Sequence, residues 1–348
     1  MDLVILIASF GIILLGAELF TNGIEWFGHK MGLGEGAVGS VLAAVGTALP
    51  ETTIPVVAIL FSSAPESSDV GLGAILGAPF MLSTLAIGIT GVVVLLNRAS
   101  RPRGDVVEVD RAVVRTDLRA FALAYALALA VAFLPLEPTW PKLVAAVVLV
   151  LMYARYVKGH FETEGTTEAE DLNPLRIHPL DIRFFDADRD EPRLRTVNLQ
   201  VIIAMVLIIV GAVAFVGAVS SIARSFGMNE ILLALIVAPI ATELPEGFNA
   251  VLWIRQGKDT LALANITGAM VFQASIATVV ALVFAPEAWS FQPGTQIAFL
   301  SAAIAFLSVG VVFLPLLRGG TLRARNMLFG IGLYVVYLAI VAVVELQA

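Results

Sequence analysis

Long apolar runs follow one another down almost the whole chain, and this constrains the fold more than any other feature. In lipid every backbone N–H and C=O must be satisfied inside the structure, so an unbroken run of this kind folds as an α-helix. Windows of about 20 residues predict helices near 3–28, 36–62, 70–97, 118–135, 139–157, 199–223, 229–254, 259–284, 293–316 and 324–346. The 348 residues are 59% hydrophobic and 14% charged, too apolar for a soluble domain. The first run follows Asp2 rather than a basic stretch and continues to about Phe27, which is too long for a signal peptide and reads as a membrane helix. The absence of cysteine excludes disulfides, thiolate metal sites and cysteine nucleophiles.

The basic residues set an orientation. Lys30, six arginines from Arg98 to Arg119, seven basic residues from Arg155 to Arg195, Arg255, Lys258, Arg318, Arg323 and Arg325 all fall in loops that share one side. Of the 21 basic residues only Lys142 and Arg224 fall on the other. The positive-inside rule then predicts a multi-pass cell-membrane protein with both termini outside and the 158–198 segment in the cytoplasm. That segment, with Glu162, Glu164, Glu168, Glu170 and Asp171, is a polar linker between residues 1–157 and 199–348. The expected fold class is an all-α integral membrane protein of ten transmembrane helices. Five helices per half is an odd number, so the second half enters the membrane from the opposite side and the two form inverted five-helix repeats.

A duplicated phrase supports the repeat: Gly46-Thr47-Ala48-Leu49-Pro50-Glu51 and Ala241-Thr242-Glu243-Leu244-Pro245-Glu246. Leu72-Gly73-Ala74-Ile75-Leu76-Gly77-Ala78 likewise matches Leu263-Ala264-Asn265-Ile266-Thr267-Gly268-Ala269. Pro50 and Pro245 lack an N–H and free the carbonyls of Gly46 and Ala241; Pro55 and Pro239 free those of Glu51 and Leu235. Bare carbonyls in hydrocarbon are tolerated only where protein, water or an ion satisfies them. Carbonyl oxygens beside a carboxylate make a site for a hard cation. Thr47 and Glu51 stand four residues apart, as do Thr242 and Glu246, so each hydroxyl shares a face with its carboxylate if the turn stays helical.

These residues resemble the cation/calcium exchanger superfamily, whose sodium/calcium branch carries a G-T-S-x-P-E phrase in each of two inverted repeats. Leu15-Gly16-Ala17-Glu18-Leu19-Phe20 and Gly32-Leu33-Gly34 look like that family's first helix and turn, as do Gly211-Ala212 and Phe226-Gly227-Met228 in the second half. The resemblance implies alternating-access antiport without a cofactor, with inorganic cations as cargo, helices 2, 3, 7 and 8 around the ions and helices 1 and 6 sliding past them. It implies Glu51 and Glu246 as central carboxylates, with Thr47, Thr242, Gly46 and Ala241 as oxygen donors.

The chain departs from the family pattern in ways that bear on the ion. Ala48 and Glu243 stand in place of the phrase serines, and Gly77-Ala78-Pro79 and Gly268-Ala269-Met270 replace G-S-N or G-S-D. Glu243, Asn249, Asn265, Thr267 and Gln273 are candidates to compensate, all in the second half. Fewer neutral oxygens make proton coupling an option beside sodium, since a desolvated glutamate binds protons more readily. The expected function is exchange of Ca²⁺ or a related cation for Na⁺ or H⁺. The alternatives are an intramembrane metal-dependent enzyme using Glu243 and Glu246, or an ion-binding paralogue that does not transport. No nucleic-acid partner is expected, and the oligomeric state is not legible. Glu18, Asn22 and Glu25 form a stripe on helix 1 that lines the ion pathway or reaches headgroup water. Trp26, Trp140 and Trp289 read as interfacial anchors. His29, His160 and His178 fall outside the predicted spans, which leaves no histidine relay within the bilayer.

Overall fold

A computed structural model describes residues 2–48, 67–135, 137, 139–162, 172–179, 191–225 and 244–347. Ten helical elements run through the described residues: α1 (Asp2–Met31), α2 (Ala37–Thr47), α3 (67–96), α4 (Arg111–Ala132), α5 (Trp140–Glu162), α6 (Leu194–Ser225), α7 (Leu244–Arg255), α8 (Asp259–Phe284), α9 (Gln296–Leu317) and α10 (Ala324–Gln347). Seven of them, α1, α3, α5, α6, α8, α9 and α10, contain stretches long and apolar enough to cross a membrane. The other three differ for separable reasons. Only 11 residues of α2 and 12 of α7 are described, and α4 carries Arg111, Arg115, Asp117 and Arg119 in its first turns.

The longest interface joins α1 to α6. Asp2 accepts a 2.6 Å hydrogen bond from Ser221, a Cβ on Gly211 would meet Ile13, one on Gly16 would meet Ile208, and one on Gly23 would meet Val201. As the residue number rises on α1 its partner's falls on α6, so the two helices are antiparallel over their length. Small residues let the backbones approach this closely, which is how helices associate where lipid removes the hydrophobic drive between them. On the far side of α6, Leu199, Ile202, Val206, Val210 and Val213 recur at helical spacing and stay exposed, an apolar face of the kind lipid covers.

α8 is the central element, buried at every residue from Asp259 to Phe272, and it packs against α2, α4 and α7. α3 holds the corresponding place against α9 and α10. Both α3 and α8 pass through a π-helical segment, Leu82–Ala86 in one and Gln273–Ala277 in the other. The two segments stand at the same distance from the matched Leu72 and Leu263, so the internal likeness of the sequence extends to a backbone irregularity. Such π-bulges often occur at functional sites.

The loops gather at two ends of the bundle. At one end Lys30 pairs with Glu191, Lys258 with Glu25 and Arg101 with Asp259. The 98–110 loop is held there by a short antiparallel ladder, β1 (Val106–Val107) on β2 (Leu322–Arg323), with Arg323 also paired to Asp105 at 3.1 Å. This ladder is a small addition to the expected all-α class. At the other end Phe291 donates to the Ala132 carbonyl at 2.9 Å, and the buried Lys142 ammonium donates to the Pro286 carbonyl and to Ser290 Oγ at 2.9 Å. The described loops rich in Lys and Arg therefore meet one another at a common end.

α6 starts at Leu194 rather than near 199, and two more helices depart at least as far from the sequence expectation. α4 starts at Arg111, seven residues before the predicted 118, because Asp110 caps it by accepting from the Ala112 and Val113 amides at 2.7 and 3.4 Å. α5 runs on to Glu162 rather than stopping near 157. Both extensions carry polar residues into the packed bundle.

Candidate cation site

The first duplicated phrase lies at a helix end. α-Helical geometry stops at Thr47, and Ala48 leaves it at φ −78°, ψ 3°, two residues before Pro50. Gly46 faces α1, where an added Cβ would lie 2.6 Å from Phe20 Cζ. The first phrase is thus pressed against the helix that the family resemblance assigns to sliding. Described helical backbone in the second copy begins at Leu244, beside Pro245, and carries Glu246 in its first turn. Glu51, Ala241, Thr242 and Glu243 lie outside the described residues, as do Pro50, Pro55 and Pro239.

Among the described residues, Thr47, Glu246, Asn249, Asn265 and Gln273 are all buried. The Thr47 hydroxyl is 3.0 Å from the Ala43 carbonyl and 3.4 Å from Asn265 Oδ1, and a single hydroxyl proton serves one of them at a time. This contact brings together residues 218 positions apart, one from each half. α7 packs against α8 and touches α2, so Glu246 and Asn249, one turn apart, enter the same region.

The site is rich in amide groups without partners. Both polar atoms of the Asn249 side chain, Asn265 Nδ2 and Gln273 Nε2 are buried with no hydrogen-bond partner among the described residues. Leaving one such group unpaired costs about 1–3 kcal/mol. Amide oxygens and a carboxylate together are the donor set of a hard cation, while amide N–H groups can orient a neighbouring carboxylate.

Thr267 is not part of this set. Its hydroxyl is 2.6 Å from Asp117 Oδ2 and 2.9 Å from the Leu263 carbonyl, turned toward α4. Asp117 is fully buried and receives Ser40 Oγ at 2.8 Å from α2, with Tyr156 OH at 3.0 Å and His160 Nε2 at 2.9 Å from α5. His160, expected beyond the end of its predicted span, lies within the longer α5 and is 5% exposed. Sequence reasoning passed over Asp117 because the hydropathy window opened at 118. The available signal was Asp110, a capping residue directly before Arg111.

The helix 1 stripe also turns out differently. Glu25 is 4% exposed, paired with Lys258 and accepting from Trp253 Nε1 at 2.7 Å, not reaching headgroup water. Glu18 pairs with Arg176 at 2.8 Å, and Asn22 Oδ1 accepts from the Arg176 amide at 3.0 Å. Two members of the stripe thus fasten the linker strand to α1. Trp140 is exposed as an anchor would be, but Trp26 and Trp289 are buried and donate to the carbonyls of Asn173 and Ala128, each at 2.8 Å.

Comparison with known proteins follows the same lines. The family model described as "Sodium/calcium exchanger protein" matches residues 1–159 and 197–343, omitting only most of the linker and the last few residues. The putative antiporter CaxA of Alkalimonas amylolytica is 30% identical over 89 residues, a match spanning 26% of this chain and 28% of that relative's length. Among solved structures, the sodium-calcium exchanger NCX_Mj soaked with 2.5 mM Na⁺ and 0.1 mM Ca²⁺ superposes with a TM-score of 0.71 at 15% identity, covering 97% of both chains. The same exchanger soaked with 2.5 mM Na⁺ and 1 mM Sr²⁺ gives 0.72 at 16% identity, again covering 97% of each. At these identities the structural likeness speaks for the fold.

Proposed function

The chain belongs to the sodium/calcium exchanger protein family, and from that premise we propose that this multi-pass membrane cation antiporter exchanges Ca²⁺ or a related cation for Na⁺ or H⁺ by alternating access. The cargo site is built on Glu51 and Glu246, with oxygens from Thr47, Thr242, Asn265 and the carbonyls of Gly46 and Ala241, and with Glu243 as a further acid. The observation that carries this reading is the contact of Thr47 with Asn265, one from each half of the chain, at the point where α2 stops being helical, with the buried Glu246 on α7, which packs against both α2 and α8.

The chemistry follows from desolvation. A carboxylate buried at membrane depth costs several kcal/mol unless a cation or proton accompanies it. Glu246 and Glu51 would therefore be occupied by a divalent cation in one half of the cycle and by sodium ions or protons in the other. The competing ions share ligands, so one leaves before the other binds, which is the requirement for antiport. α1 and α6, packed antiparallel on each other through small residues, form the pair that slides as one body past the site.

The ten helices form two inverted five-helix repeats, residues 1–157 and 199–348, joined by a 158–198 linker on the cytoplasmic side with both termini outside. The antiparallel α1 and α6, the matched π-helical segments and the common end of the basic loops support this arrangement. The family is one of exchangers, so the metal-dependent enzyme is not carried forward.

The test is uptake by purified protein in sealed vesicles. Ca²⁺ should enter when an outward Na⁺ gradient or a pH gradient is imposed, and Glu246→Gln or Glu51→Gln should abolish uptake. Unchanged uptake by both variants would overturn the site. Ion-dependent stabilisation of the folded protein with no flux under any gradient would instead identify a binding protein that does not transport.

A further inference from the structure

Asp117 lies outside the cargo site and is held as few buried carboxylates are. Three hydroxyl donors and an imidazole nitrogen converge on it from three other helices: Ser40 on α2, Thr267 on α8, and Tyr156 and His160 on α5. Among the described residues these are also the groups that face it from the elements packed around it, with no second carboxylate and no Lys or Arg among its hydrogen-bond and ion-pair partners. The carboxylate and the imidazole are 2.9 Å apart, so a proton taken up there has two bases within one hydrogen bond.

Two features let the cluster accept that proton without stranding a buried group. The Thr267 hydroxyl has the Leu263 carbonyl as a second acceptor at 2.9 Å, and the Tyr156 hydroxyl has the Ser40 carbonyl at 3.2 Å. When Asp117 is neutral, both donors can swing to backbone oxygens already in reach. His160 sits in the last turn of α5, close to Gly36 at the start of α2, with one ring nitrogen on Asp117.

The consequence falls on the cargo helices. A Cβ on Gly268 would collide with the Ser40 backbone, so α2 and α8 are in closest approach beside the cluster. Ser40 is two turns from Thr47, and Thr267 is two residues from Asn265. Hydrogen bonds to an ionised carboxylate are roughly twice as strong as neutral ones, so the charge on Asp117 decides how firmly α2 and α8 are held together.

We propose that Asp117 and His160 form a proton-binding site, separate from the cargo carboxylates, whose occupancy sets the packing of α2 on α8 and so gates the exchange cycle. The gating part rests on the antiport reading above. Cation flux into vesicles should be measured against pH for the wild type, Asp117→Asn and His160→Gln. The wild type should show an inflection that Asp117→Asn abolishes and His160→Gln displaces, with the KM for the transported cation changed less than about twofold because the cargo ligands are untouched. Superimposable pH profiles for all three would overturn the proposal. Infrared titration of the purified proteins separates its failure from that of the antiport reading. A protonated-carboxyl band that rises as pH falls in the wild type and is missing in Asp117→Asn supports the site even if no protein carries flux, and identical spectra overturn it. Should Asp117→Asn not fold, the displacement in His160→Gln decides between the same outcomes.

Discussion

Gly16 and Gly211 each lie against the other's helix: a Cβ on Gly16 would come to 2.9 Å of Ile208 Cγ1, and one on Gly211 to 2.8 Å of Ile13 Cγ1. The exchange is reciprocal because α1 and α6 run antiparallel and carry matching Gly-Ala pairs. Leucine at either position must push the helices apart, and overpacking of this kind costs about 1–3 kcal/mol. Gly16→Leu and Gly211→Leu should therefore lower thermal stability in detergent by similar amounts. Gly11→Ala, where nothing lies within 4 Å, should be neutral within error.

The Thr47 to Asn265 contact predicts how the protein responds to its cargo. A cation bound only by the folded state at a hundred times its Kd stabilises that state by about 2.7 kcal/mol. The wild type should show this as a rise in Tm with Ca²⁺ or its true cargo. Asn265→Ala and Thr47→Val should need several-fold more cation for the same rise, and Glu246→Gln should show none. Thermal shift titrations across Na⁺, Ca²⁺, Mn²⁺, Mg²⁺ and pH would check all three and rank the ions.

Lys258 and Glu25 are a largely buried pair, with 17% and 5% of their side chains exposed. Removing one member leaves the other without its counter-charge, a loss of about 3–5 kcal/mol in dry surroundings. Lys258→Ala should fall toward the lower end because the ammonium keeps some water. The double variant Glu25→Gln, Lys258→Met should recover part of the loss, since the glutamine oxygen still accepts from Trp253. Chemical unfolding of the single and double variants measures the coupling.

A pH effect outside the membrane belongs to Glu191. The hydrogen bond and then the charge of Lys30 hold its carboxyl below the ordinary carboxylate range. A depressed pKa in the folded state means the stabilisation is present above the unfolded pKa and is lost as pH falls through the folded value. The Glu191 side chain is about half exposed, so the pair contributes at most about 1 kcal/mol. Glu191→Gln should lower Tm slightly at neutral pH, with the difference from wild type vanishing in acid.

Much of the fold was legible because lipid permits so few backbone solutions. Each predicted apolar window coincides with a helix or with the described part of one, since periodicity and hydropathy act locally. Helix ends were less legible. Asp110 captures two backbone amides and starts α4 seven residues early, and α5 outlasts its apolar stretch because Tyr156 and His160 find a buried partner. Of the candidate site, the burial of Thr47 and Glu246 was expected from the duplicated phrase. The commitment of Thr267 to Asp117 was not, because two adjacent turns of α8 present their polar groups to different neighbours.

The sequence alone determined the membrane class and the residue types of the duplicated phrase, both properties of a segment and its immediate neighbours. Only the tertiary structure decided which polar residues meet. Hydrophobicity does not distinguish an acid that faces a lysine from another chain segment, as Glu25 does, from one surrounded by hydroxyls and an imidazole, as Asp117 is. Those environments are built by helices far apart in sequence, and the packing of α8 against α2, α4 and α7 brings them within reach.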